Sequence, residues 1–185
     1  MEMREGEYIV DHLAALGLTP DDIDILVVSH FDIDHAGNLL PFTNAKIIVQ
    51  QLQYEVAKDG HLRFAATQDQ WDNPLIRFRL AYGDVRIADG IELIESSGHV
   101  PGHQSLLLQL PNTGAVLLTC DAILNSSMTD ANNRIPDVSA DNDAEARNST
   151  YKLMELSKTR GVKLVIFGHD SEQWPLLKKS PEFYN

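Results

Sequence analysis

One short run constrains this chain more than any other: Ser29-His30-Phe31-Asp32-Ile33-Asp34-His35-Ala36-Gly37-Asn38, placed directly after the apolar stretch Ile23–Ser29. Four residues able to ligate a metal, His30, Asp32, Asp34 and His35, fall within six positions. Carboxylates taken out of water without a cation are costly, so a dry cluster of this kind calls for one. In an extended chain His30, Asp32 and Asp34 share one side, because strand side chains alternate. A turn into a helix, helped by Gly37, swings His35 round to join them. The fold must therefore supply a rigid strand and let a charged loop emerge from its end.

Three weaker signals repeat that arrangement. Ser97-Gly98-His99-Val100-Pro101-Gly102-His103 leads into the apolar stretch Gln104–Leu110. Asp121 ends the apolar run Val116-Leu117-Leu118-Thr119-Cys120, and His169 follows Val165-Ile166-Phe167-Gly168. Alone, Asp121 reads as a turn or cap residue and His169 as an ordinary histidine at a strand end. Together they exceed what one tetrahedral ion can use, which implies two metals, with a carboxylate such as Asp121 able to bridge them. Carboxylate oxygens mixed with imidazoles suit zinc, manganese, iron or cobalt.

Around these motifs the periodicity is mixed α/β in a single domain, residues 1–185. A helix is expected over residues 6–17, with Gly17 as its C-cap, and strands over Ile23–Ser29 and Ala45–Gln50. A helix follows from Gln51 to Lys58. Residues 59–75 lack a period and read as a loop on the substrate side. Strands follow at Val85–Ile87 and Ile91–Ser96, then a hairpin of Gln104–Leu110 and Ala115–Cys120 across residues 112–114. Residues 125–141 read as polar loop, Ala144–Thr159 as an amphipathic helix with Asp143 near its N-cap, and Lys163–Phe167 as the last strand. Trp71, Phe78 and Tyr82 read as core packing or as the wall of an acyl pocket, and His12 and His61 as surface or packing residues.

Charge and cysteine usage exclude several classes. With 15 basic and 27 acidic residues the net charge is −12, and no basic run offers a surface to nucleic acid or to an anionic membrane. The lone Cys120 excludes an internal disulfide framework. The opening Met1-Glu2-Met3-Arg4-Glu5 has no apolar leader, and no apolar run is long enough to span a bilayer. The expected location is cytoplasmic.

The order HxDxDH, GHxPGH, strand-terminal Asp and strand-terminal GH resembles the metallo-β-lactamase superfamily. The words Gly98–Leu106 (GHVPGHQSL), Phe42–Gln50 (FTNAKIIVQ), Val116–Ala122 (VLLTCDA) and Phe167–Gln173 (FGHDSEQ) resemble the N-acyl homoserine lactonases within it. The resemblance runs from about Gly6 to Tyr184. It implies an αββα four-layer sandwich whose N-terminal sheet is incomplete, because the family's N-terminal segment has no counterpart here. It implies two divalent ions, zinc foremost, and a small-molecule lactone as partner, with no oligomeric state specified. Carried over position by position, His30 and His103 bind the first ion, and Asp34, His35 and His169 the second. Asp121 bridges both, Asp32 ligates through oxygen, and His99 stands behind the ligands. The implied reaction opens the lactone ring through a metal-bridging hydroxide, with Asp34 protonating the leaving alkoxide.

Two departures bear on that chemistry. The family pattern is HxHxDH, and Asp32 stands where its middle histidine would be. Two divalent ions bring +4, and Asp32, Asp34 and Asp121 bring −3, leaving +1 where a histidine at position 32 would leave +2. A weaker positive centre favours harder metals and acidifies water less. The family tyrosine that follows the bridging aspartate corresponds to Leu124. A glyoxalase-type thioesterase, a phosphodiesterase and a non-catalytic remnant of the same fold are the competing expectations.

Overall fold

The computed structural model describes Gly6 and residues 8–185. Met1–Glu5, read above as lacking a leader, and Glu7, within the expected first helix, lie outside the described residues. Strands β1 (Ile25–Val27), β2 (Lys46–Gln50) and β3 (Arg77–Ala81) form a parallel three-stranded sheet in that order. Strands β4 (Val85–Ala88), β5 (Ile91–Glu95), β6 (Gln104–Leu110), β7 (Gly114–Cys120) and β8 (Leu164–Phe167) form a five-stranded sheet, antiparallel except for the β7–β8 pair. Helices α1 (Ile9–Ala15), α2 (Ile33–Ala36), α3 (Gln51–Lys58), α4 (Gln68–Trp71) and α5 (Asp143–Thr159) complete the fold. Among the described residues no helix is long and apolar enough to cross a membrane.

Alternation along the strands builds the layers. Ile47 and Val49 point to one side of β2, into a core with Val28, Phe31, Phe64 and Trp71, capped by Ala57 and Tyr54 of α3. Ile48 points the other way and meets Leu93 and Leu106 between the two sheets. On the second sheet Leu107 and Leu117 turn outward to Leu153 of α5. The period of two thus puts helices on both outer faces and sheet against sheet in the middle, the expected αββα order.

Gln104, fully buried, joins the sheets. Its Nε2 donates to the carbonyls of Val28 (2.8 Å) and Ile48 (3.1 Å), and its Oε1 accepts from Gln50 at 3.2 Å. Its backbone N–H donates to Ser29 O at 3.0 Å. Each such bond contributes about 1 kcal/mol net, but their placement also fixes where the β1 loop stands over the second sheet.

Several expectations change. The first helix is shorter, Ile9–Ala15, and the first strand keeps only Ile25–Val27, because it pairs on one side alone. Strand β3 was not expected. Its Arg77-Phe78-Arg79-Leu80 alternates outward charge with inward apolar residues, as an edge strand does. Trp71 is core: it stacks on Phe31 at 5.3 Å and 5° and donates Nε1–H to Phe64 O. Phe78 packs on Tyr54, while Tyr82 is exposed. Asp143 does lie beside the N-cap of α5: Asn142 is the cap, its side chain accepting from Glu145 N at 3.2 Å.

Candidate metal centre

Four strand-end segments converge on one edge of the sandwich. After β1 the chain carries Ser29 and His30, then turns at Asp32, the N-cap of α2, whose carbonyl accepts from the N–H groups of His35 (3.0 Å) and Ala36 (2.8 Å). Gly37 ends α2 at φ −69, so the turn is made at Asp32 and needs no special backbone at the glycine. This one-turn helix brings Asp34 and His35 to the cluster. The β5–β6 loop brings His99. At the end of β7, Cys120 takes φ +46, a strained angle for a residue with a side chain, at the point where pairing with β8 slips by one residue. That kink aims Asp121 at the same spot. His169 follows β8, its N–H donating to Leu124 O at 2.8 Å.

The donor atoms fall into groups with ligand spacing. Atoms about 2.1 Å from a zinc ion at tetrahedral corners stand about 3.4 Å apart. His35 Nε2 lies 3.3 Å from Asp121 Oδ1 and 3.7 Å from Asp34 Oδ2. His169 Nε2 lies 3.1 Å from Asp121 Oδ2 and 3.5 Å from Asp34 Oδ2. On the other side, Asp32 Oδ2 lies 3.3 Å from His30 Nε2 and 3.4 Å from His99 Nε2. Asp121 touches both sides, with Oδ2 3.5 Å from His99 and 3.9 Å from His30. Buried His30 Nε2 and Asp121 Oδ1 have no hydrogen-bond partner among the described residues. Orphaned buried donor atoms at this spacing fit divalent cations.

The charge states of His30 and the two carboxylates agree with that use, whereas His99, whose burial is outweighed by Asp137 and Asp32 so that it is raised to about 9, and His35 would each give up a proton to a metal. Burial drives His30 down to about 4, so the ring is neutral at pH 7 with Nε2 free. Burial pushes the Asp32 carboxyl up, but the close His30 and His99 rings and the hydrogen bonds from Arg63 outweigh it and hold it far below the usual carboxylate range. Asp121 is likewise depressed, its burial outweighed by the close His35 and by the charges of His30 and His169. His35 is raised, its burial outweighed by Asp121.

The geometry exchanges the expected places of two histidines. His103 does not face the donor cluster. Its Nε2 accepts the backbone N–H of Asp121 at 3.1 Å and its Nδ1 meets Ser96 Oγ at 2.9 Å, so both nitrogens are engaged. Burial holds it neutral, and the bond ties its ring to the Asp121 backbone. His99 does face the cluster, with Nδ1 3.2 Å from the buried Asp137 Oδ2. With a metal bound, the one remaining ring proton would sit on Nδ1, toward Asp137, and leave Nε2 for the ion. A carboxylate behind an imidazole orients a ligating nitrogen in this way.

Sequence reasoning missed Arg63 and Asp137. Arg63 lies in a stretch without period, and its only signal was an aspartate at position 32 without a partner. Asp137 sits in a segment read as polar loop, yet it and Arg134 are buried. His61 stacks on Phe64 (4.9 Å) and lies 3.3 Å from Asp141. Leu124 turns its side chain into the core under the second sheet. Beside Asp34 and His35 opens an apolar cleft of about 670 Å³, lined by Tyr8, Ile9, Leu26, Ile33, Leu39 and Phe42 among others.

Residues 2–169 match the family model of the metallo-beta-lactamase superfamily. The chain is 36% identical over 191 residues to the N-acyl homoserine lactonase AttM of Azorhizobium caulinodans, covering 99% of this chain and 72% of that one. It is 34% identical over 182 residues to the N-acyl homoserine lactonase AiiA of Bacillus thuringiensis subsp. kurstaki, covering 98% and 70%. A solved N-acyl homoserine lactone hydrolase, with the product N-hexanoyl-L-homoserine bound at its catalytic metal center, superposes with a TM-score of 0.89 at 32% identity, over 99% of this chain and 70% of that one. The chain belongs to the metallo-β-lactamase superfamily and, within it, to the family of the N-acyl homoserine lactonases.

Proposed function

We propose that this protein is a metal-dependent hydrolase that opens the lactone ring of N-acyl homoserine lactones. The observation that carries the reading is the convergence of seven donors, His30, Asp32, Asp34, His35, His99, Asp121 and His169, beside an apolar cleft. His35, Asp34, His169 and Asp121 would hold one divalent ion, and His30, Asp32 and His99, sharing Asp121, a second, with zinc the metal the donor set suits first. Such ions supply a water-derived nucleophile at neutral pH and Lewis acidity toward the ester carbonyl. The rest falls to side chains. The cleft takes the acyl chain and sets the ring against the donors. Asp34, partly exposed on its rim beside His169, is placed to hand a proton to the departing alkoxide. Leu124, turned into the core, offers no hydroxyl to the carbonyl. The same proposal includes one domain, a cytoplasmic location, in keeping with the lone Cys120, and no nucleic-acid partner, in keeping with the charge of −12.

The test is hydrolysis of N-hexanoyl homoserine lactone by zinc-loaded protein, followed as acid release at constant pH. Ring opening that a chelator abolishes and zinc restores is expected. A folded, metal-loaded chain that leaves the lactone intact refutes the reading. Turnover of a glutathione thioester instead transfers it to the thioesterase class.

A further inference from the structure

Arg63, in the 3-10 turn Leu62–Thr67, is bonded to Asp32, the residue that departs from the family pattern. Its Nε donates to both oxygens of Asp32, at 2.7 and 3.0 Å, and its Nη2 donates to Asp32 Oδ2 at 2.5 Å. The same Nη2 stands 2.9 Å from His99 Nε2. Nη1 is anchored on Ser139 O and, at 3.1 Å, on Asp141 Oδ1. One guanidinium nitrogen therefore sits within contact of two of the three donor atoms that define the His30, Asp32 and His99 position. A guanidinium is permanently charged and engages a carboxylate through two oxygens at once. It is itself a cation at the place where a metal would go. A histidine at position 32, as in the family pattern, would offer it no such partner. None of the donors around the other position, Asp34, His35, Asp121 and His169, is hydrogen-bonded to Arg63 among the described residues.

We propose that Arg63 is the resident cation of the His30–Asp32–His99 position. The protein then holds one divalent ion tightly, at Asp34, His35, His169 and Asp121, and admits a second only weakly, when the guanidinium is displaced. Arg63 is a positioning residue: it orients Asp32 and His99 and sets the charge at that position. The proposal deepens the metal-dependent reading above and rests on it.

The experiment counts ions rather than turnovers. Protein is loaded with zinc, desalted against a weak chelator and analysed for metal per chain, and zinc affinity is measured by competition with a chromophoric chelator. About one ion per chain is expected in the unaltered protein and about two in Arg63→Met. Removal of Arg63 leaves Asp32 unpaired and can unfold the chain, so the double variant Asp32→His/Arg63→Met, which removes both charges, is measured beside it. It too is expected to hold two ions, with the fold checked by circular dichroism. Two tight ions in the unaltered protein, or one ion in a folded double variant, overturns the assignment of Arg63 and leaves the hydrolase reading standing. Zero ions throughout, in folded protein, overturns both.

Discussion

Gly98→Ala tests whether the loop that presents His99 is held by backbone contact with α5. Gly98 has φ +131, and a Cβ there would lie 2.1 Å from Ala146 N, 2.4 Å from Ala146 Cα and 2.6 Å from Glu145 C. All three are backbone atoms at the start of a helix and cannot swing aside as a side chain would. The contact is locked by Asn142 N–H donating to Gly98 O at 3.0 Å and Asp141 N–H to His99 O at 2.9 Å. Forcing alanine into this backbone costs about 1–3 kcal/mol, and wedging a methyl group into filled space costs another ~1–3 kcal/mol. About 4 kcal/mol is a large share of the roughly 5–15 kcal/mol that holds a domain together. For a urea m-value of about 2 kcal/mol/M this lowers the midpoint by ~2 M. Gly161→Ala is the control, with φ +61 but nothing within 4 Å of the added Cβ, so it carries only the ~1–2 kcal/mol of a left-handed alanine. Urea unfolding followed by far-ultraviolet circular dichroism, on metal-free protein, measures both. If Gly98→Ala is no less stable than Gly161→Ala, the helix does not clamp the loop.

Two further outcomes follow from the same geometry. His103→Phe keeps the volume but leaves the buried Asp121 N–H unpaired. It should cost about 1–3 kcal/mol and leave the metal count per chain unchanged, and loss of metal from a folded variant would return His103 to the ligands. Metal-free protein should lose stability as the pH falls from 6.5 to 4, because the folded state keeps His30 neutral down to about 4 while the unfolded chain takes up that proton near 6.5. The shift corresponds to about 3 kcal/mol. His103 acts in the same direction, while His35 and His99, raised above 6.5, gain their stability above that window and hold it nearly constant across it. The depressed Asp32 and Asp121 act only below about 3.8. Urea midpoints that are flat or rising across that window contradict the burial assigned to His30.

How far the sequence could be read depended on whether the information was local. The β6–β7 hairpin lay in plain view because apolar alternation and Asn112-Thr113-Gly114 sit side by side, and the donors His30, Asp34, His35 and His169 stood out because each follows an apolar run. His99 and His103 were given the opposite roles by the resemblance: they lie four residues apart in one loop, between and beside Gly98 and Gly102 at φ +131 and +72, and no local pattern says which ring meets the donors. Arg63 reaches Asp32 across 31 positions, which no periodicity records. Strand β3 was hidden because its five residues lean on β2 alone.

The donors come from both sheets and from nearly the whole length of the chain: His30 follows β1, Asp121 follows β7 and His169 follows β8. Contacts so distant in sequence form only after the intervening chain has been closed into loops, and that closure is what makes folding of such topologies slow. The donors of either position therefore meet only when the two sheets have docked. An ion arriving there finds nothing to assemble in the unfolded chain. It acts on the finished molecule, by opposing the parting of the sheets.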